Sequence, residues 1–198
     1  MSLDRMQQII DFSVELEKLK GVERRIKPKG QSRFENSAEH SWQVTLLALL
    51  MVDELFQHTD EKPDTLKVVK MLLLHDIVEI DAGDKMVYDN NHDDFDNELV
   101  AAKRIFGLLP PDVRDECLSI WVEFEERETL EARVAKAMDR AIPIIQNLNN
   151  NGQSWVENGI SVHQVIEKNS IIADGFPPLW NWLLIKLEYA VQQGWLKS

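Results

Sequence analysis

The sequence predicts an all-α protein organised as one domain. Three observations carry that expectation. Apolar residues recur at helical spacing along nearly the whole chain, and no β-branched or aromatic run alternates over the length of a strand. Helix stops and starts punctuate the sequence at intervals, among them Gly21, the Asn36/Glu39 pair, Gly83, Gly107 and Thr129. The composition, 44% hydrophobic and 28% charged over 198 residues, is that of a single globular unit.

The elements follow in order. A first helix is expected over 3–20, with Ile9, Ile10, Phe12, Val14, Leu16 and Leu19 as its apolar positions and Gly21 as its stop. Residues 22–35 form a polar loop in which Arg24, Arg25, Lys27 and Lys29 cluster. Asn36 and Glu39 make a capping box for a helix reaching about residue 56. Its apolar residues, Trp42 through Leu55, spread over much of its surface, which predicts a central helix. Asp64 or Thr65 opens the next helix, which carries His75, Asp76 and Glu79 and ends at Gly83.

Residues 84–94 are polar, acidic and aperiodic, and read as a mobile loop. Its acidic part, about 89–96, reads as a solvated lid, since it lacks the spaced ligands and turn glycine of a calcium loop. Helices are then expected at 96–106, from Pro110 or Pro111 to 126, and from the Thr129 cap to about 147 with a bend at Pro143. Asn151-Gly152 reads as a helix stop rather than a hairpin. Helices at 161–173 and from the Pro177-Pro178 turn to about 193 complete the chain. The bulky face of the last one (Trp180, Trp182 and Trp195 with Leu179, Leu183, Leu184 and Leu187) is expected on the core, with part of it available for a homodimer. One domain over 1–198 is expected, with a core at about 36–150 and C-terminal helices over 161–193.

Composition excludes several roles. A net charge of −12 argues against non-specific nucleic-acid binding. No stretch approaches the roughly 20 apolar residues of a membrane span. One cysteine, Cys117, precludes an internal disulfide, and the first residues lack the apolar run of a signal peptide. A cytoplasmic setting is expected. An anionic substrate would be repelled at long range, so local cations must hold it.

Four residues carry the chemistry: His40, the adjacent pair His75-Asp76, and Asp139, which lies between Ala137-Met138 and the apolar stretch Ala141 to Ile145. A carboxylate there must be paired, hydrogen-bonded or metal-bound. If three helices bring these side chains together, two imidazoles and two carboxylates make a site for one divalent ion of the Zn, Mn, Fe, Co or Ni kind, with positions left for water and a substrate oxygen. Glu79, three and four residues after the pair, falls on the same helix face and suits acid/base work. Asp84 follows at the rim.

These residues, within Ser37-Ala38-Glu39-His40-Ser41-Trp42, His75-Asp76-Ile77-Val78-Glu79, Gly83-Asp84 and Lys136-Ala137-Met138-Asp139, resemble the HD-domain phosphohydrolases, and within them the 5'-deoxynucleotidase branch. The resemblance extends to about Gly159. It implies a five-helix core, a metal held by His40, His75, Asp76 and Asp139, and hydrolysis of nucleoside 5'-monophosphates to nucleoside and phosphate. It implies acid/base work for Glu79, a contact from Asp84 to the sugar or leaving group, and phosphate orientation by Arg25, with Arg33 a second candidate. Glu125 and Arg127 would face substrate. A tryptophan that excludes ribose in that branch is replaced here by Ile26, which leaves the deoxyribose preference open. Another phosphoester or a nucleoside triphosphate as substrate, or a non-catalytic nucleotide-binding domain, are the rival readings.

Overall fold

The computed structural model describes residues 2–88 and 95–198, and they form helices and connecting turns with no strand among them. The expected acidic lid at 89–96 lies mostly outside the described residues. Helix α1 (Leu3–Glu15) passes into a 3-10 turn (Leu16–Gly21). Helices α2 (Ser37–Leu55) and α3 (Thr65–Leu74) follow, and the chain then tightens into a second 3-10 turn (His75–Val78) before the short α4 (Glu79–Ala82). Next come α5 (Phe95–Phe106), α6 (Pro111–Glu126) and α7 (Leu130–Asn149). The C-terminal part holds α8 (Gln153–Asn158), α9 (Val162–Asn169), α10 (Ile172–Gly175) and α11 (Pro177–Gln192).

The organising element is α7. Its Val134, Ala135, Ala137, Met138 and Ala141 are fully buried, and α2, α3, α6, α10 and α11 all pack on it. Alanines on this face let neighbouring backbones approach closely while Phe124, Met71 and Leu183 fill the space between. A second, smaller core gathers Leu19, Ile77, Ala102, Phe106 and Trp121 under α5 and α6.

Several expectations are corrected. Helix α2 is not central: Val44, Ala48 and Val52 are buried, but Trp42, Leu49 and Leu50 are 66%, 54% and 65% exposed on its outer face. The apolar spread around α2 therefore reflects two distinct faces, one of them outward. The first helix likewise buries none of its residues over Leu3–Glu15, with Ile10 and Val14 exposed. The segment at 161–173 is divided after Asn169, and α8, unmarked by periodicity, is an added element.

The end of α7 explains α8. Asn151 and Gly152 both take left-handed backbone, turning the chain sharply. Buried Asn147 then accepts hydrogen bonds from the Ser154 and Trp155 amides through Oδ1 while its Nδ2 donates to the Pro143 carbonyl. One side chain thus satisfies two free amides of α8 and a carbonyl of α7.

Candidate metal centre

Three elements supply the site. The capping box sets the first turn of α2: Asn36 accepts from the Glu39 amide and Glu39 accepts from the Asn36 amide. His40 sits one residue further on, fully buried. Asp139 projects from the middle of α7. His75 and Asp76 open the 3-10 turn, where successive side chains diverge more than on an α-helix and residues three apart eclipse. Glu79, three after Asp76, therefore stays above it.

The ligand atoms converge. His40 Nε2 lies 3.0 Å from Asp139 Oδ1 and 3.9 Å from Asp76 Oδ2. His75 Nε2 lies 3.0 Å from Asp76 Oδ1 and 3.5 Å from Asp139 Oδ1. Ligand atoms of His40, His75 and Asp76 all fall within 4.8 Å of one another, a spacing that one ion could bridge. Phe124 covers the His75 ring, and the Trp121 indole donates to the His75 backbone carbonyl at 3.2 Å, so the turn is held from behind.

The donor chemistry fits a cation. His75 Nδ1 lies 2.9 Å from the Leu72 carbonyl, which assigns it the proton and leaves Nε2 as the ligand atom. That Nε2 is buried and makes no hydrogen bond. Burial works against charge on His75, but Asp76 and Asp139 outweigh it and push its pKa up to about 10. The place thus favours positive charge. Burial and the Arg24 charge push His40 the other way, towards neutral imidazole. Asp76 overcomes its own burial through His75 and Arg24 and is held down at about 2. Asp139 is likewise held well below the usual carboxylate range by its imidazole neighbours, against burial.

Beside this cluster stand groups of different character. Glu79 is pushed well above its ordinary value, first by burial and then by Asp76, so its carboxyl tends to keep a proton. The Ser37 hydroxyl donates to its Oε2. Asp84 is also raised, by burial first, with Arg24 opposing. Arg24, missed by the sequence reading, reaches into the centre: its Nη1 lies 3.1 Å from Asp76 Oδ2 and 3.4 Å from Asp84 Oδ1. Burial disfavours its charge, yet Asp76, Asp84, Glu79 and Asp139 hold its pKa above the ordinary value.

Arg25 is exposed and lines the same pocket, as do buried Ile26, half-buried Glu125 and exposed Arg127. Arg33 lies outside the pocket lining and is engaged by Glu39 through bonds of 2.7 and 2.6 Å. Two further residues escaped the sequence reading. Lys136 sits 4.3 Å from the Phe124 ring centroid, between Glu125 and Asp139 at 3.6 and 3.7 Å. Glu35, only 2% exposed, faces His40 Nδ1 at 3.9 Å and Arg24 Nε at 3.6 Å. The position of Lys136, three before Asp139 on one helix face, was a usable signal; Glu35 offered none.

The pattern that defines the HD domain family matches residues 16–180, spanning every element of this centre. The chain belongs to the HD-domain family. The crystal structure of a predicted metal-dependent phosphohydrolase from Magnetospirillum magnetotacticum superposes with a TM-score of 0.90 at 38% identity, covering 98% of this chain and all of that one. A conserved hypothetical protein from Pyrococcus furiosus shares the fold at a TM-score of 0.63 and 22% identity, covering 88% of this chain and 98% of its own. Human 5'-deoxynucleotidase HDDC2 is 28% identical over 116 residues, 58% of this chain and 53% of the human protein. This HD-domain chain spans about half the length of the curated relatives it matches. No helix among the described residues is long and apolar enough to cross a membrane.

Proposed function

We propose that this HD-domain protein is a metal-dependent phosphohydrolase that cleaves nucleoside 5'-monophosphates, with 2'-deoxyribonucleosides the leading class, to nucleoside and phosphate. One observation carries the reading. The imidazoles of His40 and His75 converge with the carboxylates of Asp76 and Asp139, directly beside a buried carboxyl, Glu79, that favours its protonated form.

His40, His75, Asp76 and Asp139 would hold one divalent ion. Such an ion supplies positive charge to a phosphoryl group and acidifies water at neutral pH. The remaining steps belong to the chain. Arg24, with Arg25 at the mouth, pairs with phosphoryl oxygens and fixes their orientation. Glu79, steadied by Ser37, delivers its proton to the departing sugar oxygen as a water oxygen replaces it on phosphorus, and then recovers the proton that this water gives up. Asp84 accepts a hydrogen bond from a sugar hydroxyl. Ile26 and Glu125 form part of the wall, and Lys136 adds charge beside Asp139.

The experiment is phosphate release from thymidine 5'-monophosphate before and after dialysis against a chelator. Release should vanish with the metal and return with added Mn or Co. Release that survives complete metal removal refutes the reading. A panel of nucleoside di- and triphosphates run alongside tests the rival in which another phosphoester is the substrate.

A further inference from the structure

The pocket that contains the metal centre has about 550 Å³, within the range that encloses a whole small molecule. Seven of the chain's 22 lysines and arginines line it, although the chain as a whole carries −12. Most of these cations are accounted for. Arg24 is matched by Asp76 and Asp84, and Lys136 by Glu125 and Asp139. Arg25, Lys85 and Arg127 are exposed. Arg140 and Lys168 differ. Both are half-buried in the pocket wall, and among the described residues neither forms an ion pair or a side-chain hydrogen bond.

Both line the pocket without belonging to the ligand cluster. Arg140 follows Asp139 on α7 and so is turned about 100° around that helix. Lys168 comes from α9, next to Asn169, whose buried Nδ2 donates to the Val165 carbonyl at 2.8 Å. Tyr88 completes the wall: its hydroxyl interacts with Trp155 and Asn169, and Arg140 acts on it electrostatically. A pair of partly desolvated cations with no carboxylate partner among the described residues is a site for an anion. The reacting phosphoryl group, by contrast, is provided for by Arg24 and the candidate metal ligands.

We infer that Arg140 and Lys168, backed by Tyr88, form a second anion-binding point, so that the preferred substrates are phosphomonoesters carrying a second phosphate or carboxylate elsewhere in the molecule. The inference rests on the phosphohydrolase reading and narrows its substrate class.

The test uses the metal-loaded full chain and two matched substrate pairs. Thymidine 3',5'-bisphosphate is compared with thymidine 5'-monophosphate, and 3-phosphoglycerate with glycerol 3-phosphate. The second anion should lower KM about tenfold or more in at least one pair, as a charge-assisted contact does; which pair responds tells phosphate from carboxylate. Lys168→Gln should collapse that KM ratio towards one, Lys168→Arg should restore it, and Arg140→Gln should behave as Lys168→Gln, with circular dichroism confirming folding. Equal KM values within both pairs overturn the inference, as does a preference that survives both neutral substitutions. If no compound releases phosphate with any metal, the phosphohydrolase reading fails by itself. Calorimetric binding of the bisphosphate against the monophosphate then decides the anion point: tighter binding that Lys168→Gln removes upholds it, and equal binding overturns it.

Discussion

Glu35 is the residue whose surroundings demand most of it. Its Oε1 accepts from Gln146, but its Oε2 is buried without a hydrogen bond, as are the atoms it faces, Arg24 Nε and His40 Nδ1. At 3.9 Å the Glu35 carboxyl lies on the outer side of the candidate ligand His40, where a carboxylate that bonds the ring nitrogen orients the ring and raises its basicity. Glu35→Gln keeps the shape and removes the charge. It should weaken divalent-metal binding about 10- to 100-fold in a calorimetric titration; unchanged affinity would remove Glu35 from any supporting role. The inner residues should separate cleanly under the same titration. Asp76→Ala should lose metal and turnover together. Glu79→Gln should bind metal normally while kcat falls by about 100-fold or more, the usual contribution of a positioned acid or base.

At the scale of elements, close approach of helices sets the site's rigidity. Gly175 in α10 lies against α7 where an added Cβ would stand 2.1 Å from the Arg133 carbonyl oxygen and 2.9 Å from the Val134 amide. Backbone atoms cannot swing aside as a side chain could. Gly175→Ala should therefore destabilise by about 1–3 kcal/mol, which a thermal melt would read as a fall of at least about 2 °C in a chain this size. Helix starts were legible because capping is local: Asn36 with Glu39, and Thr129 accepting from the Ala132 amide, are readable in four residues. The tightening at His75–Val78 was not, because α-helix and 3-10 turn share the same residue preferences and tertiary packing chooses between them. The outward face of α2 was also hidden, since periodicity marks apolar positions without saying which of them find a neighbour.

The whole molecule is a frame in which distant segments meet, and a cation that binds only the folded form stabilises it by mass action. At a hundredfold excess over its dissociation constant the gain is about 2.7 kcal/mol, or roughly 5–10 °C in the unfolding midpoint for a chain of this length. Differential scanning calorimetry with and without Mn should show that rise in the parent chain and none in Asp76→Ala. The candidate ligands His40, His75, Asp76 and Asp139 were legible because His75 and Asp139 stand beside apolar runs and because the segments around all four resemble the motifs of a known family. Arg24 and Glu35 were not, because the basic loop offers four cations close together with nothing local to say which one turns inward, and a carboxylate before a capping box looks like any surface charge.

Trp121 adds an optical consequence. Its indole is wholly buried, stacks on Phe95 and donates to the carbonyl of His75. Any change in charge at that imidazole alters the field along the indole dipole, so the emission of this one chromophore serves as a built-in, label-free gauge of occupancy, readable once the other five tryptophans are replaced by phenylalanine.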